Sequence, residues 1–160
     1  MRMNFCEAQA SAVISNNIFV ENVVSDASSG LGGAIETDQN VTIIHNLFRG
    51  AIGHSSVTVT ATSDTTIIRN NIFQDGETAI FEPTALSLTV TGNEFFNVTN
   101  ILNRNGQAET DLSRVELFIP GFSGNHEWDP ALLGDDVATG TWTAEAVFDA
   151  AGNTTTSTES

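Results

Sequence analysis

Short stretches of alternating apolar and polar residues recur through the first two thirds of the chain, and one motif recurs with them. The motif reads aliphatic-x-x-Asn-x-Phe, and its four copies begin at Ile14, Ile43, Ile68 and Val90. The phenylalanines that end successive copies lie 29, 25 and 22 residues apart. A motif that recurs about every 20 to 50 residues is typical of repeat architectures, in which each repeat is one structural unit.

The alternating stretches predict short β-strands, because a period of two places the apolar side chains of Val- and Ile-rich segments on one face. Such a short strand cannot bury a core alone. When each strand pairs with its equivalent in the next repeat, about 4.8 Å away, the inward side chains form continuous columns. The sequence therefore predicts a stack of four aromatic rings, namely Phe19, Phe48, Phe73 and Phe95.

The asparagine of each motif fits a sharp turn between two strands. Asparagine tolerates the left-handed backbone conformation that such a turn requires, whereas most residues do not. Stacked in register, the asparagines can also hydrogen-bond amide to amide as a ladder. The residues predicted to do so are Asn17, Asn46, Asn71 and Asn93.

A shorter repeated pattern, which we call the small-Ile echo, follows each motif and predicts a further strand in every repeat. It is a small residue followed by isoleucine, and its copies are Ala34-Ile35, Ala51-Ile52, Ala79-Ile80 and Asn100-Ile101. A fifth copy of the main motif is predicted to end at Phe122, with Pro120 in place of asparagine. Degenerate final repeats are common at the ends of repeat proteins.

The motif, its short Gly- and Asn-rich links and the small-Ile strand resemble the right-handed parallel β-helix repeat of the pectate-lyase-like superfamily. The resemblance covers residues 12–106. It implies an all-β solenoid of about four regular coils, ended by a degenerate C-terminal coil and a cap. The superfamily includes polysaccharide lyases, glycoside hydrolases, epimerases, autotransporter adhesins and phage tailspikes, so the fold implies no single chemistry.

This pattern divides the chain into three parts. Residues 1–11 are predicted to be a lead-in or cap, with Phe5 covering the first coil, and 12–106 are the coils. Residues 107–160 are predicted to contain the degenerate coil, a C-terminal cap and a frayed polar tail. Within them, the segment around Leu132 suggests a helical turn and the segment around Trp142 a hairpin.

The charge balance excludes two classes of partner. The chain has 20 acidic residues against five basic ones, all arginine, and a net charge of −15. We therefore expect neither nucleic acid nor an anionic membrane as a partner, and an anionic polysaccharide only where cations intervene. No apolar stretch is long enough to predict a transmembrane helix.

The single cysteine, Cys6, permits no internal disulfide. Residues 1–11 lack the pattern of a signal peptide, although proteins with such repeats are usually extracellular or on the cell surface. We therefore interpret the chain as a segment of a larger secreted bacterial protein. The sequence predicts no oligomeric state.

Register predicts one surface on which ionisable side chains from two coils meet. It comprises His45, Arg49, Arg69, Asp75 and Glu77. A polysaccharide lyase needs a cationic base to remove the proton α to a uronate carboxylate, which calcium commonly neutralises. In that interpretation Arg69 is the catalytic base, Asp75 and Glu77 hold calcium, and a polysaccharide is bound. In the alternative, Arg69 is a solvated strand residue, paired loosely with a neighbouring carboxylate.

Other catalytic and metal-binding patterns are missing. The sequence has no Gly-rich phosphate loop and no zinc-protease or serine-hydrolase motif, and it lacks the Gly-Gly-x-Gly-x-Asp calcium repeat. The dipeptide Gly53-His54 resembles that of β-helix polygalacturonases, but the remaining elements of that family are lacking. We therefore predict no metal site and no cofactor, calcium excepted, and interpret His54 and His126 as loop histidines.

Two functions are compatible with these patterns. The first is an extracellular β-helix scaffold or adhesin-like module that contacts a glycan. The alternative is a carbohydrate-active enzyme, either a polysaccharide lyase or an epimerase, whose site lies partly outside this segment. The two functions predict different arrangements of the charged side chains. An enzyme should hold Arg69 and at least two carboxylates in one groove, whereas a scaffold should scatter them.

Overall fold

A computed structural model describes residues 2–3, 12–24, 33–38, 40–60, 66–83, 87–127, 129, 132–136, 141–148 and 154–159. In the described residues the chain is all-β apart from one short helix. The strands of the first two repeats and the lead-in are β1 (Arg2–Met3), β2 (Ala12–Ser15), β3 (Ile18–Val20), β4 (Ile35–Thr37), β5 (Val41–Ile44), β6 (Leu47–Arg49) and β7 (Ser55–Val59). The next two repeats provide β8 (Thr66–Arg69), β9 (Ile72–Gln74), β10 (Thr78–Glu82), β11 (Leu88–Thr91), β12 (Glu94–Phe96) and β13 (Asn100–Arg104). The C-terminal part contains β14 (Gln107–Glu109), α1 (Leu112–Phe118), β15 (Phe122–Ser123), β16 (Leu132–Asp136), β17 (Thr141–Phe148) and β18 (Thr154–Glu159).

Three sheets are built almost entirely from parallel strands, and the chain adds strands to them in a fixed, repeating order. Sheet A has the order β1-β4-β7-β10-β13-β14, sheet B the order β15-β11-β8-β5-β2, and sheet C the order β12-β9-β6-β3. Each repeat gives one strand to sheet B, then one to sheet C, then one to sheet A. Consecutive repeats are therefore stacked strand on strand. The separate sheet β16-β17-β18 is antiparallel.

The register predicted from the motif is confirmed in sheets B and C. Ile14 pairs with Ile43, Ile43 with Ile68, and Ile68 with Val90. All four are buried and belong to the apolar core between the sheets. Because the spacing within the motif never changes, every side chain keeps its face from one repeat to the next.

The four phenylalanines of the motif form a continuous stack. Adjacent ring centroids from Phe19 to Phe95 are separated by 4.9, 4.9 and 5.2 Å, with interplanar angles of 4°, 8° and 9°. Phe48, Phe73 and Phe95 are buried, whereas Phe19, at the end of the stack, is half-buried. The rings fill the core behind sheet C without a gap between repeats.

The asparagines form a second column, and their amides are hydrogen-bonded in series. The backbone N–H and Nδ2 of Asn46 both donate to Oδ1 of Asn71, at 2.9 and 3.0 Å. The same Nδ2 donates to the backbone carbonyls of Ile14 and Ile44, both at 3.0 Å. The pattern repeats at each step, and it continues to one residue that the motif did not predict. We call the series the asparagine column: Asn17, Asn46, Asn71, Asn93 and Asn125.

The expectation that these asparagines supply the left-handed turn is wrong. The left-handed residue is the one immediately before each asparagine, with φ between 52° and 64° in Asn16, His45, Asn70, Gly92 and Gly124. A second left-handed position follows each strand of sheet C and is occupied by Glu21, Gly50, Asp75 and Asn97. Asparagine is therefore required at the motif position for its side-chain amide, and the turn itself accepts several residue types.

The small-Ile echo lies within a strand of sheet A in three repeats, but it gives the correct register in two only. Ile35 and Ile80 both pair with Val57, so Val57 takes the place predicted for Ile52. Ile52 lies outside the strands, forms an isolated bridge with Val23 and is 52% exposed. In the fourth repeat the equivalent of Ile80 is Leu102, one residue beyond Ile101.

The predicted fifth copy lies in the wrong frame. Phe122 pairs with Val90, so it occupies the aliphatic position of the motif instead of the aromatic one. The segment preceding it forms helix α1 instead of a strand. The true fifth copy therefore runs from Phe122 to Glu127, and Asn125 takes the asparagine position.

The parts outside the four repeats contain more regular structure than the sequence predicts. After the fourth repeat, β13 and β14 form an antiparallel hairpin, with Asn105 and Gly106 at positive φ in the turn. Leu132 lies in strand β16 and not in a helical turn. Strand β17 pairs with β18 as the hairpin prediction requires, and the tail predicted to be frayed contains β18.

At the other end of the chain, β1 pairs with β4 at the edge of sheet A. The predicted covering role of Phe5 and the lone Cys6 lie outside the described residues.

Candidate functional site

The outer face of sheet A brings one polar or aromatic side chain from each repeat into a row. Glu36 pairs with Thr58, Thr58 with Phe81, and Phe81 with Asn103. Beside this row lies an open cavity of about 90 Å³. We call it the His54 cleft, and its lining residues are His54, Glu77, Thr78, Phe81 and Asn103.

The loop that carries His54 is fixed by its glycine. Gly53 has φ of +88°, and a Cβ at this position would lie 2.4 Å from the carbonyl oxygen of Val24. The N–H of Gly53 donates to Oε2 of Glu77 at 3.1 Å. A residue with a side chain would therefore displace the loop, and with it the imidazole.

The His54 ring forms one wall of the cleft against Phe81. The two ring centroids are 4.6 Å apart and the planes meet at 81°, an edge-to-face contact. On the other side, Nδ1 of His54 lies 3.2 Å from Oγ of Ser55. Ser55 is fully buried and its Oγ lies 2.6 Å from Oγ1 of Thr58. Ser55 therefore orients the imidazole and cannot act as a nucleophile on a substrate in the cleft.

Burial lowers the pKa of His54 below its ordinary value of 6.5. The negative charges of Glu36 and Glu77 act in the opposite direction, but they do not outweigh the loss of hydration. The ring is consequently neutral at neutral pH, with one nitrogen able to donate and one able to accept a hydrogen bond.

One polar atom of the cleft has its hydrogen-bonding capacity unused. Oδ1 of Asn103 is buried, and no hydrogen-bond donor among the described residues contacts it. Leaving a buried amide oxygen unpaired costs about 1–3 kcal/mol. A ligand that supplies a hydroxyl or N–H group to this oxygen would recover that free energy.

The residues proposed from the sequence are divided among three sheets. Arg69 is exposed at the end of β8 in sheet B, and Arg49 ends β6 in sheet C. Asp75 follows β9 and accepts a hydrogen bond at 2.7 Å from Nδ2 of Asn97. Glu77 precedes β10 of sheet A and belongs to the His54 cleft.

His45 lies beside the asparagine column, where its Nε2 is 3.4 Å from Nδ2 of Asn70. In the part of the chain that the structure describes, no ion pair joins Arg69 to Asp75 or Glu77. Nor do three or more His, Cys, Asp or Glu side chains converge there as metal ligands. His126, interpreted as a loop residue, forms an isolated bridge with Glu94.

Sequence reasoning missed Phe81 and Asn103. Both lie at the outward position of a sheet A strand, one repeat apart, so correct register for this sheet would have aligned them. The small-Ile echo gave that register incorrectly in two repeats of four. Their proximity therefore could not be inferred from the pattern.

No family model, curated protein or solved structure matches the chain. Among the described residues, no helix has the length and apolar character needed to cross a membrane.

We expect the imidazole of His54 to titrate with a midpoint below 6.5, because burial between Phe81 and the loop disfavours its charged form. In an NMR titration, Glu77→Gln should lower the midpoint further, and Phe81→Ala should raise it towards 6.5. Since the unfolded chain takes up the proton first, stability should fall as the pH decreases below 6.5. A midpoint above 6.5 in the unmodified protein would contradict this account of the ring.

Proposed function

We propose that the chain is a right-handed parallel β-helix of the pectate-lyase-like type, which serves as a non-catalytic extracellular scaffold and contacts a glycan at the His54 cleft. The β-helix is supported by the fixed order in which each repeat adds a strand to sheets B, C and A, and by the columns of side chains that run through all repeats. The acidic, lysine-free composition suits a secreted protein, and we propose that this segment belongs to a larger one.

The observation that carries the glycan proposal is the combination of an aromatic wall with an unpaired buried acceptor. Phe81 and His54 present apolar ring surface, while Oδ1 of Asn103 has no donor in the part of the chain that the structure describes. Sites for small molecules typically join apolar surface to a few fixed polar groups. A sugar ring offers both the C–H face that packs on an aromatic ring and the hydroxyl groups that donate to such an oxygen.

Charge favours a neutral glycan over an acidic one. The carboxylates of Glu36 and Glu77 both act electrostatically on His54, so both lie near the cleft. The whole chain carries −15. A uronate carboxylate would be repelled here unless a cation intervened, whereas hydroxyl groups can donate to these carboxylates.

The enzymatic alternative, a lyase or an epimerase, receives no such support. It requires Arg69 and at least two carboxylates in one groove. Instead, Glu77, just before β10 of sheet A, accepts from the N–H of Gly53, and Asp75 accepts from Nδ2 of Asn97. We therefore propose binding without turnover.

The test is a binding measurement with neutral oligosaccharides, by glycan array followed by calorimetry. We expect Phe81→Ala and Asn103→Leu each to weaken the affinity by about tenfold or more, since each removes one element of recognition worth about 1–3 kcal/mol. Phe96→Ala is the matched control, because Phe96 is also a half-buried phenylalanine but lies in sheet C. This control variant should bind the oligosaccharide with the affinity of the unmodified protein.

Two results would overturn the proposal. The first is the absence of binding to every neutral glycan, and the second is binding that Phe81→Ala and Asn103→Leu leave unaltered. Incubation with uronate polymers and calcium provides the enzymatic arm. If the protein releases unsaturated product and Arg69→Ala abolishes that release, the protein is a lyase and the scaffold proposal is wrong.

A further inference from the structure

Two groups of the His54 cleft accept hydrogen bonds and cannot donate them. The first is the amide oxygen Oδ1 of Asn103, which is buried and has no donor among the described residues. The second is the carboxylate of Glu77, whose Oε2 accepts from the N–H of Gly53 at 3.1 Å. Each carboxylate oxygen has two lone pairs, so Glu77 can accept further donors. A ligand that satisfies both groups must therefore offer at least two donors.

The electrostatic potential of the cleft is negative. Glu77 is part of its lining, and Glu36 acts together with Glu77 on the imidazole of His54. In the part of the chain that the structure describes, no arginine lines the cleft, and the sequence contains no lysine. Arg104 pairs with Glu82, with Nε 3.0 Å from Oε2. Because burial keeps the imidazole neutral at neutral pH, the ring does not offset the two carboxylates.

The size of the cleft limits what can enter it. Its volume is about 90 Å³, which is about three times the volume that one water molecule takes up in the liquid. One substituent of a sugar can enter together with the ring atoms next to it, while the rest of the glycan stays outside the open mouth. Selection at this cleft therefore acts on the chemistry of a single substituent.

We propose that the His54 cleft recognises the protonated amino group of an amino sugar. This inference rests on the proposed glycan function and specifies the substituent that the cleft selects. An ammonium group has three donors, no acceptor and a positive charge. It can donate to Oδ1 of Asn103 and to the carboxylate of Glu77 at the same time. A hydroxyl group has one O–H donor, so it can pair with only one of the two.

Other substituents fit the cleft less well. An acetamido group is uncharged, has a single N–H donor and needs more space. A carboxylate or a sulfate has no donor, and the charges of Glu36 and Glu77 would repel it. The aromatic ring of Phe81, which also lines the cleft, attracts a cation more strongly than a neutral group. A neutral glycan should therefore bind, and its amino analogue should bind more tightly.

The test compares trisaccharides that differ only at the second carbon of each ring. An array presents gluco- and galacto-configured trisaccharides with a hydroxyl, an amino or an acetamido group there, and calorimetry at neutral pH measures the affinities. We expect the amino form to bind about five- to tenfold more tightly than the hydroxyl form, since one hydrogen bond to it is charge-assisted. This advantage should shrink as salt is added, because salt screens an exposed carboxylate.

Glu77→Gln and Asp75→Asn form a matched pair of variants. Each removes one negative charge from an exposed side chain, but only Glu77 lines the cleft. Glutamine keeps an oxygen that can accept from Gly53, so the loop should stay in place. Glu77→Gln should abolish the preference for the amino form and change the affinity for the hydroxyl form little, whereas Asp75→Asn should retain the preference. Equal losses of preference in both variants would mean that the amine responds only to net charge, and would overturn the inference.

The remaining outcomes separate this inference from the proposed function. If the hydroxyl or the acetamido form binds as tightly as the amino form, the amino-sugar inference is wrong and the glycan function stands. If no trisaccharide binds, both are wrong. The tripeptide Gly-Lys-Gly is the other source of an ammonium group. If it binds as tightly as the best amino trisaccharide, the cleft recognises a cationic peptide and the sugar plays no part.

Discussion

Replacement of Asn71 by leucine should lower the free energy of unfolding by on the order of 4 kcal/mol. Asn71 is buried, and its Nδ2 donates to Asn93 and to the backbone carbonyls of Ile43 and Arg69. Its Oδ1 accepts from the backbone and the side chain of Asn46. Leucine has the same branching and the same number of side-chain heavy atoms as asparagine but is larger, so the variant leaves no cavity. The loss then reports the unpaired polar groups together with the strain of the larger side chain.

Asn17→Leu is the matched control for this prediction. Asn17 belongs to the same column but is exposed, so water can replace the lost hydrogen bonds. Its loss should be below about 1 kcal/mol. Guanidinium unfolding followed by circular dichroism measures both values. Equal losses for the two variants would show that the column adds nothing to stability beyond what a surface turn provides.

Replacement of Phe73 by alanine should cost about 3–5 kcal/mol. The ring is fully buried and stacks on Phe48 and Phe95, with centroid separations of 4.9 and 5.2 Å. Its removal would leave a cavity in the middle of the stack, which the neighbouring strands cannot close without losing their register with each other.

Phe19→Ala provides the comparison, because Phe19 has one ring neighbour among the described residues and is half-buried. We expect a loss of less than half that of Phe73→Ala. The two variants can be compared in the same guanidinium titration, provided that the slope of the transition is unchanged. If Phe19→Ala were the more damaging variant, stability would depend more on the N-terminal end of the stack than on its interior.

The columns could be predicted from the sequence because the motif contains no insertions. Asparagine follows the aliphatic residue by three positions and phenylalanine follows asparagine by two, so strands, turn and rings align once the repeats are stacked. The link from sheet C to sheet A varies in length, and the echo is only two residues long. Ala51-Ile52 matched the small-Ile echo, whereas the residue that pairs with Ile80 is Val57, in a strand that does not contain the echo. The His54 cleft depends on that register and was therefore missed.

The C-terminal end was misread for a related reason. Leu117 and Phe122 gave the frame of a motif, and this concealed a helix whose start Asp111 marks as the N-cap, accepting from the N–H of Arg114. In the true copy Phe122 fills an aliphatic position and Glu127 the aromatic one, so only Asn125 is retained. A search for asparagine at the repeat spacing would have found it. A search for phenylalanine could not.

From Asn17 to Asn125 the side chains of the asparagine column are neutral amides, in a chain whose net charge is −15. Amides do not titrate, and hydrogen bonds between buried neutral groups respond little to added salt. The hydrogen bonds between one asparagine and the next therefore depend little on the charge of the surface. Acidic side chains can be added or exchanged on the outside without disturbing them, except at Glu116, whose carboxylate accepts from Asn125.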